Sequence, residues 1–192
     1  MAKIGILLSG CGVYDGAEIQ ESVLAMLAIK EAGHDYICIS PDENQHHVVN
    51  HTTGEEMQET RNVFVESARI ARGEIKKLQD ITPAEIDSLV IPGGFGSAKN
   101  FTNWAFEGPA GSISPGIKLL LVNLVNIGKP ICALCVSPVV VAKAFEDSSI
   151  KTKLTIGTTQ DNSEYEIKDF MEGISSVGVI PEEKSIKEIA VD

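Results

Sequence analysis

The sequence predicts an α/β fold in which a mostly parallel sheet carries helices on both faces. Short apolar runs alternate with amphipathic helical patterns along the chain, which is typical of βαβ units. The apolar runs are continuous, and this indicates strands that are buried on both sides. Several runs end in turns that contain glycine or cysteine, so we expect the chemistry-bearing residues at the carboxyl edge of the sheet.

The elements of the first half follow from apolar periodicity and from turn residues. Strands are expected at Lys3–Ser9, Tyr36–Ser40 and Leu89–Ile91, and helices at Glu18–Ala32 and Asn62–Ala71. A polar stretch after the second strand holds three histidines, and an extra hairpin is one interpretation of it.

The second half continues the same alternation. We expect helices at Ile117–Ile127, Pro138–Phe145 and Glu164–Met171, and strands at Pro130–Leu134, Leu154–Gly157, Ser176–Ile180 and Ile186–Val191. No internal repeat or linker interrupts the 192 residues, so we expect a single domain over 1–192.

Composition excludes several function classes. Sixteen Lys and Arg against 27 Asp and Glu give a formal net charge of −11, which disfavours binding to nucleic acid or to a membrane surface. No apolar run approaches the roughly 20 residues of a bilayer span. Four cysteines without a secretory signal indicate a reducing compartment, and we expect a cytoplasmic protein.

Cys135 ends a predicted strand and opens a predicted helix, with Pro138 early in that helix. This is the pattern of a nucleophile elbow, a sharp turn that presents one side chain above the sheet. The positive end of the helix dipole is expected to lower the pKa of the thiol and favour the thiolate. The alternative is one more buried structural cysteine, a common fate of free cysteines.

Two further segments are expected to meet Cys135 at the same edge of the sheet. The backbone N–H groups of Gly93 and Gly94, with that of Val136, could bind an oxyanion. Glu18 opens the first helix and is predicted to exchange a proton with the sulfur. The competing interpretations are an ordinary glycine turn and a carboxylate that complements the helix dipole.

Other chemistries fit the sequence less well. Cys132 and Cys135 form a Cys-x-x-Cys pair, but residues three apart on a strand point to opposite faces, which opposes a redox motif. His46, His47 and His51 lack zinc-type spacing and are expected to be solvated or structural. No histidine follows Cys135, so a downstream Cys–His triad cannot be drawn from this chain.

Several long motifs resemble the ElbB-like proteins of the ThiJ/PfpI superfamily, whose fold is that of class I glutamine amidotransferases. The matching segments are Ser9–Ile19, Glu59–Val63, Ala68–Gly73, Pro92–Asn100, Gly128–Pro130 and Cys135 with Pro138. The resemblance implies a flavodoxin-like three-layer sandwich and often a homodimer. It also implies a nucleophilic Cys135 partnered by Glu18, with Asn100 among the residues that bind substrate.

Two features depart from the wider superfamily. The elbow reads Leu-Cys-Val-Ser-Pro, without the histidine that follows the cysteine in protease-like relatives, which argues against protease activity. Family members also usually continue past the position of Asp192 with a short segment and a helix. We therefore expect either that part of a sheet edge or dimer surface is missing, or that the protein continues beyond this sequence with further residues that line the crevice.

Three functions follow, in order of preference. The first is a glutathione-independent glyoxalase-like enzyme in which Cys135 attacks glyoxal or methylglyoxal and no metal or organic cofactor is needed, with a link to isoprenoid metabolism implied by the resemblance. The second is a redox-sensing or regulatory protein that uses the same cysteine. The third, a glutaminase subunit, is the weakest because the downstream histidine is missing.

Overall fold

The computed structural model describes all 192 residues and contains a five-stranded parallel sheet. Its strands are β1 (Lys3–Leu7), β2 (Asp35–Ser40), β3 (Ile75–Lys77), β4 (Ser88–Ile91) and β5 (Ile131–Ala133). They lie in the order β3-β2-β1-β4-β5, and each neighbouring pair runs parallel. The predicted flavodoxin-like α/β class is therefore confirmed.

Helices cover both faces of this sheet. They are α1 (Ile19–Glu31), α2 (Val63–Ile70), α3 (Trp104–Glu107), α4 (Pro115–Asn126), α5 (Pro138–Phe145) and α6 (Ile167–Ser176). A two-stranded parallel sheet joins β6 (Lys153–Leu154) to β7 (Ile180–Pro181). No helix in the structure is both long enough and apolar enough to cross a bilayer.

The hydrophobic core is divided by the sheet into two unequal parts. Alternate residues of a strand point to opposite faces, so Leu7 joins the cluster beneath α4 and α5 while Ile6 and Leu8 join the cluster beneath α1. The first cluster contains 22 buried residues and the second five. Every residue of α5 is buried, so the element that follows Cys135 is anchored in the larger cluster.

The C-terminal region differs from the prediction. The residues expected to form a strand at Ser176–Ile180 continue α6 to Ser176 and then turn at Gly178, whose φ is +91°. The expected strand at Ile186–Val191 is wrong. Its three large apolar side chains are exposed and no neighbouring strand pairs with them, so the segment has no sheet to join.

Two other segments depart in detail. The strand β3 was not expected, because it has only three residues and two of them are lysines. The polar stretch that suggested a hairpin is an irregular loop held by two isolated antiparallel bridges, Val49 with Glu56 and Asn44 with Asn62.

The strand order creates the crevice in which the candidate site lies. From β1 the chain builds outward through β2 and β3, and then returns to place β4 on the other side of β1. Loops that leave adjacent strands in opposite directions at such a switch point open a crevice at the carboxyl edge. Here the loop after β4 is fastened to the loop after β1, since the N–H of Phe95 donates to the carbonyl of Val13 at 2.7 Å.

Candidate active site

Cys135 sits in a strained turn between β5 and α5. Its φ is 54°, a left-handed conformation that residues with a side chain rarely adopt and that persists where the surroundings enforce it. The turn is bracketed by two backbone hydrogen bonds, from Leu134 N–H to Ile91 O at 3.0 Å and from Ser137 N–H to Leu134 O at 2.9 Å. The side chain is exposed, so the structure contains a nucleophile elbow with an accessible thiol.

Buried hydroxyl groups tie this elbow to the loop after β4. The Ser137 Oγ hydroxyl donates to the carbonyl of Pro92 at 2.7 Å and lies 2.8 Å from the hydroxyl of Ser97. Both serines are fully buried. The two loops that supply the thiol and the diglycine turn are thus held in one rigid unit.

Gly93 and Gly94 are required by close packing. A Cβ on Gly93 would lie 2.2 Å from the Cβ of Cys135, which no side chain can satisfy. Gly94 has a φ of +94°, and a Cβ there would lie 2.4 Å from the carbonyl oxygen of Gly16. The diglycine turn therefore brings three loops within van der Waals contact around the sulfur.

The carboxyl group that meets the thiol belongs to Glu21. Its Oε2 accepts a hydrogen bond from Gly93 N–H at 2.7 Å, and the same carboxyl interacts with the thiol of Cys135. Glu18, the predicted partner, is placed differently, because it is the N-cap of α1 and its carboxylate accepts from the Glu21 N–H at 2.6 Å. Glu18 contributes negative charge near the sulfur, and its proton-exchange role stays a prediction.

Desolvation raises the pKa of Glu21, and the charge of Glu18 adds to this rise. The hydrogen bonds from Gly93 N–H and from the thiol act in the opposite direction. Glu21 is therefore a carboxylate that binds a proton more readily than an exposed one, which suits a general base.

Burial also raises the pKa of the Cys135 thiol, since the crevice walls remove water from around the sulfur. The N–H groups of Gly94 and Val136 lower it, whereas the charges of Glu21 and Glu18 raise it further. This direction is opposite to the expected one, because desolvation and two carboxylates outweigh the helix terminus. The shift favours the protonated form of the thiol.

Two backbone donors face the sulfur. The N–H groups of Gly94 and Val136 are close enough to stabilise negative charge on it. The N–H of Gly93 is already engaged by Glu21. Of the three predicted oxyanion donors, Gly94 and Val136 are the two that the structure aims at the reacting atom.

An apolar cavity of about 210 Å³ opens beside the thiol. Gly94, Cys135 and Val136 form its polar end, and side chains that lie far apart in sequence form the walls, namely Val13, Phe95, Ile156, Tyr165, Ile167 and Phe170. A small molecule in this cavity would lie against the sulfur and the two backbone donors.

Asn100 is not brought to the cavity wall. Its Nδ2 donates to the carbonyls of Ser9 at 2.8 Å and Asp15 at 3.0 Å, and its Oδ1 accepts from His46 N–H at 2.9 Å. These contacts brace the loops after β1 and β2, because the amide is saturated by backbone partners. The structure thus gives Asn100 a bracing contact rather than the predicted contact with substrate.

The histidine candidates lie in loops, whereas Cys132 lies on a strand. The ring of His46 stacks on Phe106 at 4.1 Å between centroids, and His51 Nε2 accepts from Tyr14 N–H at 3.2 Å. Cys132 lies on β5 as an exposed free thiol.

Sequence reasoning missed Glu21 and the cavity wall formed by α6. The sequence did contain a signal for Glu21. The side chain of the N-cap residue, Glu18, accepts a hydrogen bond from the third N–H of the helix, so the carboxyl of Glu21 at that third position is free to contact another group. No local signal marks Tyr165 or Phe170, which reach the site by tertiary packing.

The parallel sheet, the strained cysteine and the neighbouring glutamate define an α/β protein of the class I glutamine amidotransferase-like type. No family model matches the chain. Individual relatives do match over its whole length. The chain is 35% identical over 193 residues to the human glutamine amidotransferase-like class 1 domain-containing protein 3, mitochondrial, and covers 70% of that protein.

A rat relative and one solved structure agree with this assignment. The chain is 35% identical to the ES1 protein homolog, mitochondrial, of Rattus norvegicus, over 100% of this chain and 71% of that protein. An isoprenoid biosynthesis protein with an amidotransferase-like domain from Ehrlichia chaffeensis superposes with a TM-score of 0.84 at 38% identity, covering 96% of this chain and 79% of that chain. The chain belongs to the glutamine amidotransferase-like class 1 family.

A more distant structure shares the fold alone. Drosophila melanogaster DJ-1beta superposes with a TM-score of 0.56 at 17% identity, over 100% of this chain and 78% of that chain. The ThiJ/PfpI type of fold is therefore shared by proteins whose sequences have diverged widely.

Proposed function

We propose that the protein is a cysteine-dependent enzyme that converts glyoxal or methylglyoxal to the corresponding hydroxy acid without glutathione. One observation carries the proposal: an exposed Cys135 thiol interacts with the Glu21 carboxyl and lies beside two backbone N–H groups. This set supplies a nucleophile, a base and an oxyanion site around one atom.

In the first step Glu21 accepts the thiol proton while the sulfur attacks the aldehyde carbon. A carbon–sulfur bond forms, the carbonyl π bond breaks, and its electron pair becomes an oxyanion near the N–H groups of Gly94 and Val136. Protonation of that oxygen gives a hemithioacetal. The raised pKa of Glu21 matches this task, because the carboxylate holds the proton that the thiol loses.

In the second step Glu21, which is a carboxylate again once it has protonated that oxygen, removes the proton from the carbon bonded to sulfur; the neighbouring carbonyl oxygen takes a proton from water, and an enediol forms. Glu21 returns its proton to the neighbouring carbon while the hydroxyl on the sulfur-bearing carbon loses its proton to water, which leaves a hydroxyacyl thioester on Cys135. Water cleaves the thioester and restores the thiol. The aldehyde carbon is oxidised and its neighbour is reduced, so the sum is oxoaldehyde plus water to hydroxy acid, and no external oxidant is required.

The direction of the thiol pKa favours an enzyme over a redox sensor. Sensor cysteines are accessible thiolates of low pKa, and desolvation raises the pKa of Cys135 instead. The Glu21 carboxyl beside the sulfur supplies the base that a protonated thiol needs for turnover.

We further assign the chain to the ElbB-like branch of its family. The support is the set of motifs around Cys11, Arg61, Gly93 and Cys135, together with the likeness to the Ehrlichia protein that is described as an isoprenoid biosynthesis protein. A link of this chain to isoprenoid metabolism rests on that likeness.

The test compares two thiols that lie three residues apart. Purified wild type, Cys135→Ala and Cys132→Ala are incubated with glyoxal in the absence of glutathione, and glycolate is quantified by chromatography. We expect glycolate from wild type and from Cys132→Ala, both of which retain the elbow thiol, and background levels from Cys135→Ala. Equal glycolate formation by wild type and Cys135→Ala would refute the nucleophile.

A further inference from the structure

The cavity beside Cys135 is more apolar than a two-carbon dialdehyde needs. Eight of its nine lining residues are hydrophobic. Phe95, Ile156 and Phe170 form walls that cannot hydrogen-bond through their side chains, and Tyr165 contributes a largely exposed ring. The backbone donors of Gly94 and Val136 lie at the end that carries the sulfur. The two ends therefore suit two different parts of one ligand.

The size of the cavity points in the same direction. A cavity of about 150 Å³ lined by aliphatic and aromatic side chains is enough to bind benzene. The present cavity has a volume of about 210 Å³. The difference leaves room for a two-carbon carbonyl unit beside the sulfur, whereas glyoxal alone would leave the apolar walls uncovered.

Charge restricts the ligand further. No lining residue is basic, and the ionisable groups next to the sulfur are the carboxyls of Glu21 and Glu18. A ligand with an anionic substituent would meet two carboxyl groups and no basic side chain in the cavity lining. The substituent that fills the cavity should therefore be uncharged.

We propose that the preferred substrate is an uncharged 2-oxoaldehyde whose ketone carbon carries an apolar group about as large as a phenyl ring. This inference rests on the proposed function and names its substrate class. The aldehyde carbon lies at Cys135 Sγ, its oxygen lies at the N–H groups of Gly94 and Val136, and the apolar group fills the cavity toward Phe170. The reaction is unchanged, so phenylglyoxal and water give mandelate.

Apolar complementarity should appear as a selectivity ratio. Each methylene that a hydrophobic pocket encloses is worth about 10- to 200-fold in kcat/KM. We expect kcat/KM for phenylglyoxal to exceed that for glyoxal by about 10-fold or more. Mandelate and glycolate are measured as products, because aldehydes also modify arginine and lysine without turnover.

A cavity-filling variant and a matched control locate the selectivity. Ile167→Trp places a larger side chain inside the cavity. Ile186→Trp makes the same substitution at a side chain that is 93% exposed. The phenylglyoxal-to-glyoxal ratio should fall toward one in Ile167→Trp and should stay at the wild-type value in Ile186→Trp. The substrate class would be overturned if wild type had a kcat/KM for phenylglyoxal equal to or below that for glyoxal. It would also be overturned if Ile167→Trp left the ratio of the two values unchanged.

A binding measurement separates this inference from the proposed reaction. Benzyl alcohol is an unreactive apolar probe, and saturation-transfer NMR detects its binding to wild type without turnover. If benzyl alcohol binds to wild type and not to Ile167→Trp, the apolar ligand class is supported even when neither aldehyde is consumed. In that case only the proposed reaction is refuted. Absence of binding to wild type removes the ligand class, whether or not glyoxal is turned over.

Discussion

Replacing Glu21 and Glu18 separately by glutamine distinguishes the base from the helix cap. The two residues lie one helical turn apart at the start of α1, yet Glu21 meets the thiol while Glu18 caps the helix. Glutamine keeps the shape of each side chain and keeps an oxygen that can accept from the Gly93 N–H or the Glu21 N–H. The exchange therefore removes the capacity to take a proton and leaves most of the local geometry.

The expected magnitudes differ widely between the two variants. Loss of a general base lowers turnover by about 10²- to 10⁴-fold. At about 1.36 kcal/mol for each factor of ten, this corresponds to about 3–5 kcal/mol in the activation barrier. Glu18→Gln removes only a favourable charge at a helix N-terminus, which is worth about 0.3–1 kcal/mol of stability.

The assay measures kcat/KM for methylglyoxal by lactate formation without glutathione, with thermal unfolding recorded for each variant. We expect the Glu21→Gln enzyme to remain folded and to lose at least 10²-fold in kcat/KM, about the lower end of base removal. We expect Glu18→Gln to keep most of its activity at a slightly lower unfolding temperature. Larger loss in Glu18→Gln than in Glu21→Gln would refute the assignment of the base.

Three further outcomes follow from the electrostatics and the packing. Alkylation of Cys135 by iodoacetamide, measured by peptide mass spectrometry, should increase with pH through a pKa above that of an ordinary thiol. In Glu21→Gln the increase should occur at lower pH, because a negative charge near the sulfur is removed. An increase in the wild type below the ordinary thiol pKa would contradict the raised pKa of Cys135. Turnover should begin to fall on acidification above the usual carboxyl range, because the raised pKa of Glu21 protonates the base early, and a pH profile that stays flat down to that range would count against it. Gly93→Ala should lower the free energy of unfolding in urea by about 1–3 kcal/mol and abolish activity, because the new Cβ would lie 2.2 Å from the Cβ of Cys135. An unchanged midpoint of urea unfolding would show that the loops have more room than the structure indicates.

The part of the fold that sequence reasoning predicts well is the part that is buried. Helix α5 was expected at Pro138–Phe145 and lies there, because proline at its start and eight buried residues specify both its position and its environment. The same holds for β4, whose continuous apolar run is typical of a strand covered on both faces.

Prediction fails where packing, not local pattern, decides the conformation. The segment Ile186–Val191 is rich in residues with a high propensity for strands, but no partner strand lies beside it. Helix α6 places Ile167 and Phe170, three residues apart on one face, against a cysteine more than thirty positions earlier in the chain. Neither arrangement has a local signature.

The candidate site shows the same division. The strain at Cys135 and the diglycine turn were visible as a pattern, because a strand followed by a proline-marked helix implies a sharp turn. The direction of the thiol pKa was not visible, because it depends on the two carboxyl groups and the crevice walls that surround the sulfur in three dimensions. That Glu21 rather than Glu18 meets the thiol was not visible either, because only the three-dimensional geometry of the helix cap shows which carboxyl is free.

Detection of the covalent intermediate tests the central claim most directly. Wild-type protein is quenched with acid during turnover of methylglyoxal, digested at low pH and mapped by tandem mass spectrometry. The account predicts a lactoyl thioester on the peptide that contains Cys135, at the sulfur of that residue and not at Cys132. Lactate production with all four cysteines unmodified, or an acyl group on Cys132 alone, would contradict it.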